Sequence, residues 1–165
     1  AHDFYHSRVE GGEGHLEVGK SIYYTVNDLS HMILSLKPFG CMPSTQSDGV
    51  QSAVTSRYKD MIFLPIETSG EGDVNAHSRV QMALGEAKAK AKIEFKECLD
   101  KTGYSLDEIK AYVETHADLQ SPFFHVSHRK GIIGTGANFI MDVADQMKKE
   151  GIKSVEFVES VECVE

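Results

Sequence analysis

Two short apolar runs constrain this chain more than any other feature. The first is His31–Lys37 (HMILSLK) and the second Asp60–Glu67 (DMIFLPIE). Each is followed by a turn rich in glycine or proline and then by a helical pattern. Apolar runs of this length suit buried strands, and the unbroken apolarity of the second suits a parallel strand covered on both faces. Pro65 has no N–H to give to a ladder, so pairing is expected to break, or to lie at an edge, near it.

The remaining elements follow from periodicity and punctuation. Residues 15–29 read as a helical region. The stretch PFGCMPSTQSDG carries two prolines and two glycines and reads as a loop, with Ser47 as the cap of a helix running to about Tyr58. Val80, Leu84, Ala87, Ala91, Phe95 and Cys98 recur at helical spacing and mark a long helix, about Val74–Leu99. Glu86–Lys90 and Glu97–Lys101 support it as i, i+4 pairs. Gly103 stops it, and Ser105 with Glu108 forms a capping box for a helix to about Thr115. Residues 117–130, with Pro122, read as a loop. A last helix carries Ile133, Ala137, Ile140, Ala144 and Met147 and ends at Gly151, and 154–164 is β-rich. Strand and helix alternating at this spacing imply a right-handed parallel unit. The expected fold class is α/β, a partial Rossmann-like parallel sheet with flanking helices layered α/β/α. We expect residues 1–102 to form the α/β domain and 103–165 a helical and β extension packed on it.

In parallel sheets ligands approach the carboxyl ends of the strands. Two segments leave those ends here. One carries Cys41, Ser44, Thr45 and Gln46. The other carries Glu67, Thr68, Ser69, Glu71, Asp73 and Asn75, with His77 and Arg79 just beyond. Cys41 stands in a strand-to-helix turn, where a helix N-terminus favours the thiolate. It reads as a nucleophile, as a soft-metal ligand, or as a small apolar side chain filling a tight turn. Cys98 falls on the apolar stripe of the long helix and reads as core. His77 reads as facing the rim of the sheet or as bonded to loop backbone. His2 and His6, with Asp3 between them, have a metal-compatible spacing near a chain end, and His125 and His128 sit in a loop without a diagnostic pattern.

Two glycine-rich helix starts invite a phosphate reading. In SGEGD, Glu71 and Asp73 would repel an anion and suit capping or a cation. In GIIGTGANF, Gly134, Gly136 and Asn138 carry no acid and are the better anion candidates, but neither stretch is a Walker loop or a GxGxxG fingerprint. The formal charge of −8 opposes a general nucleic-acid binder, and Lys88, Lys90 and Lys92 read as a solvated helix face. No apolar run approaches the roughly 18 residues a membrane span needs. Three cysteines without CxxC spacing are not a disulfide framework, so a reducing cytoplasm is expected. Opening at Ala1 in a polar stretch, the chain is expected to be a fragment without a secretory leader.

EGGEGH (Glu10–His15), KPFGCMPSTQSDGVQ (Lys37–Gln51) and LPIETSGEGDVNAHSRVQMAL (Leu64–Leu84) together resemble the activase-related family of 2-hydroxyacyl-CoA dehydratase systems, in particular the C-terminal region of its long fused members. GIIGTGANFIMDVAD extends the resemblance. It implies a contribution to iron–sulfur-dependent, ATP-driven electron transfer to a dehydratase, with ATP bound by other domains of the parent. It implies a 4Fe-4S cluster in the full-length protein, Cys41 being the candidate ligand, and no cofactor in the isolated fragment. The implied partners are other domains of the same long chain and a dehydratase. The alternatives are a non-catalytic interaction or ligand-binding module of a larger protein, and a thiol enzyme using Cys41 with His77.

Overall fold

The structure is a computed structural model and describes residues 2–9, 11–68 and 73–152. In chain order its elements are α1 (Gly14–Val26), β1 (Ile33–Pro38), α2 (Met42–Arg57), β2 (Phe63–Thr68), α3 (Asp73–Thr102), α4 (Leu106–Thr115) and α5 (Thr135–Lys149). The chain is thus mixed α/β, with two parallel strands and five helices among the described residues. The β-rich stretch 154–164, with Cys163, lies outside them. No described helix is long and apolar enough to cross a membrane.

The residues cluster into two units, Ala1–Glu94 with Arg129–Gly134, and Phe95–His128 with Thr135–Glu165. In the first, β1 and β2 pair in parallel, with Lys37 opposite Glu67 and Pro38 opposite Thr68. Pro65 pairs with Ser35 without interrupting the register, and in a sheet of two described strands it lies on an edge, the second of the two expected outcomes. Neither strand is buried as expected: β2, expected to be covered on both faces, buries Ile66 alone among Phe63–Thr68. β1 alternates, with Ser35 and Lys37 turned towards α1 and α2, while Leu34 and Leu36 on the other face are 41% and 65% exposed.

α2 begins earlier than its composition suggests. Pro43 was expected to hold PFGCMPSTQSDG in a loop, but a proline at the first helical positions forfeits no hydrogen bond and has a pre-set φ. The helix therefore starts at Met42, with Cys41 as N-cap and the preceding turn shortened to Phe39–Gly40. Gly40 has a φ of +72°, which only glycine adopts without strain.

The contact between α1 and α2 is unusually polar. Gly14, Val18 and Ser21 on α1 recur at i, i+4 and i+7, as do Ser47, Gln51 and Val54 on α2, and all six are buried. Val18 and Val54 join Tyr5 in a small apolar cluster flanked by Phe4, Ile22 and Tyr58. Around it, Gln51 Nε2 donates to Ser21 Oγ at 2.9 Å. Small side chains let the helices approach, and hydrogen bonds supply what hydrocarbon does not.

In the second unit, α4 starts at the capping box expected from Ser105 and Glu108. The buried side chains of Ile109, Tyr112, Ile140, Val143 and Met147 come from α4 and α5, and Cys98 is buried as expected. Tyr112 stacks on His116 with ring centroids 3.9 Å apart. Burial, reinforced by the carboxylates of Glu150 and Asp118, pushes the Tyr112 phenol up to about 12. A folded-state value above the unfolded value near 10 favours the native state fully below pH ~10, and that contribution fades as the pH rises towards about 12. The urea midpoint is therefore expected to fall between pH ~10 and ~12, and less steeply in Tyr112→Phe. Equal slopes would refute the assignment.

Candidate functional site

The parallel pairing places the ends of β1 and β2 at one rim. Phe39 N–H donates to Thr68 O at 3.3 Å, and Thr68 Oγ1 donates to Lys37 O at 3.2 Å. The chain then turns on Gly40, and Cys41 N–H donates to Pro38 O at 3.2 Å. Cys41 is half-buried, and its sulfur accepts from Ser44 Oγ at 3.2 Å. Thr45 Oγ1 donates to the Cys41 carbonyl at 3.1 Å. Ser44, Thr45 and Gln46 therefore lie in the first turns of α2 rather than in a loop, with Thr45 and Gln46 exposed.

The glycine-rich stretch before α1 packs onto this turn. A Cβ at Gly12, whose φ is +74°, would overlap the Pro43 ring. One at Gly14 would sit 2.6 Å from Tyr5 Oη and 3.0 Å from the Pro43 carbonyl oxygen. EGGEGH and PFGCMPS are thus in direct contact, and the glycines are the reason they can be.

Beneath the rim lies a buried ionic network. The Lys37 side chain is 2% exposed. Its Nζ pairs with Asp48 Oδ1 and lies 3.5 Å from Glu17 Oε1. Glu17 also accepts from the Ser35 hydroxyl, and from Ser47 Oγ at 2.5 Å. One lysine thereby ties the end of β1 to both helices. Lys37, Glu17 and Asp48 belong to no sequence motif. The available signal was the alternation Ile33, Ser35, Lys37, which puts a cation on a strand's covered face.

A cleft of about 370 Å³ opens beside the network, lined by Asp48, Pro65, Ile66, Glu67, Asn75 and Arg79 among others. Arg79 Nη2 donates to the Pro65 carbonyl at 2.8 Å. Glu67 and Asn75 are brought together here. Thr68 is exposed on the same rim, and Glu71 and Ser69 lie outside the described residues. His77 is exposed on α3, while the thiol of Cys41 has a hydroxyl, not an imidazole, as its neighbour.

The GTGAN stretch is placed otherwise. The N–H groups of Ile133 and Gly134 each donate to the Glu94 carboxylate at 2.7 Å, and His31 Nε2 lies 3.2 Å from the same group. The protein's own anion thus stands where an anionic ligand was envisaged for Gly134. Gly136 lies beside the Phe95 ring, and Asn138 is buried at 2% exposure. Lys90 donates to Asp60 O at 2.8 Å and lies 3.7 Å from Glu86.

A conventional iron–sulfur cluster takes four protein thiolates. The rim brings one, Cys98 is buried in the other unit, and no group of three or more His, Cys, Asp or Glu side chains among the described residues could hold a metal ion. The described residues do not make a cluster site by themselves. The chain matches no family model, no curated protein and no solved structure.

Proposed function

We propose that this chain is a fragment of a 2-hydroxyacyl-CoA dehydratase activator-like protein, a partial Rossmann-like α/β piece of the cytoplasmic parent that presents Cys41 at the rim of its parallel strands. Its contribution would be to iron–sulfur-dependent, ATP-driven electron transfer to a dehydratase, with ATP held by other domains. The observation that supports this reading most is the position of Cys41: half-buried, at the N-cap of a 16-residue helix, on the rim shared by both strands. A thiol at that position can be reached from outside. Because the described residues supply one thiol, the remaining ligands of a cluster would come from elsewhere in the parent or from a partner, and Cys41 is either one ligand or a residue beside the cluster.

The test is anaerobic reconstitution of the full-length parent with iron and sulfide. The expected outcome is a cluster EPR signal that is lost, with electron transfer to the dehydratase, in Cys41→Ser. Unchanged cluster content and electron transfer in that variant would remove the reading's central residue. A second reading, a non-catalytic ligand-binding module of the same parent, is favoured by the polar cleft beside Asp48 and Glu67. Under it, Cys41→Ser is silent and the chain folds equally well without iron.

A further inference from the structure

We draw no further inference here: the strongest candidate, the exposed patch of Leu34 and Leu36 on the open face of β1, is an unpartnered apolar face, and nothing in the structure shows what covers it.

Discussion

Lys37→Met is expected to lower the unfolding free energy by about 3 kcal/mol, the largest single-residue effect in the first unit. The side chain is almost wholly buried between two carboxylates. Methionine fills a similar volume, so the loss is not one of packing. What remains is Glu17 and Asp48 under one sheet face with no cation, and breaking a buried pair on one side costs about 3–5 kcal/mol. The lower end applies here, because Asp48 is one-third exposed and Glu17 keeps the hydroxyls of Ser35 and Ser47. Urea unfolding gives the value, with Lys92→Met on the exposed face of α3 as a control expected to stay within about 0.5 kcal/mol. The triple change Lys37→Met, Glu17→Gln, Asp48→Asn should recover much of the loss, since it removes the stranded charges. A Lys37→Met chain as stable as its parent would show that the network contributes nothing.

Gly14→Ala is the second large effect, because the same substitution has opposite signs at two places in this chain. At Gly14 a methyl group meets Tyr5 Oη and the Pro43 carbonyl, and the second of these is backbone. Forcing it in should cost about 1–3 kcal/mol. At Gly85, exposed within α3, nothing lies within 4 Å of the added carbon. Alanine there should stabilise by about 0.5–1 kcal/mol through helix propensity. The pair is read by thermal or urea unfolding of the two variants side by side. Gly14→Ala should also change the rate at which an alkylating reagent modifies Cys41, since Pro43 is two residues from the thiol. A stabilised Gly14→Ala chain would mean that EGGEGH does not sit on the PFGCMPS turn.

Local rules carried much of the fold. The stripe from Val80 to Cys98 gave α3, which ends one residue before Gly103, whose φ is +79°. Ser105 and Glu108 gave the start of α4. The order of the two apolar runs gave the parallel pair. The failures were of two kinds. One is local: by composition Pro43 breaks a helix, although at a helix start it is compatible with the first turn. The other was non-local. Lys37 meets Asp48 11 residues on, and Glu94 meets Gly134 40 residues on, and no window of sequence shows either. For the same reason the anion-binding look of GTGAN could not be set against a carboxylate on a distant helix. Apolarity also misled at the second strand, where the unbroken run Asp60–Glu67 suggested two covered faces and Ile66 is the one buried residue of Phe63–Thr68.

The placement of Cys41 beside the end of β2 rests on β1 and β2 running in the same direction. Interstrand NOEs on isotope-labelled protein test this most directly. Parallel pairing predicts cross-strand contacts of Leu34 with Leu64 and of Lys37 with Glu67, and a contact from the Phe39 amide to Thr68. Contacts linking Ile33 to Thr68 and Pro38 to Phe63 would reverse one strand, carry the thiol to the opposite end of the sheet and contradict the site.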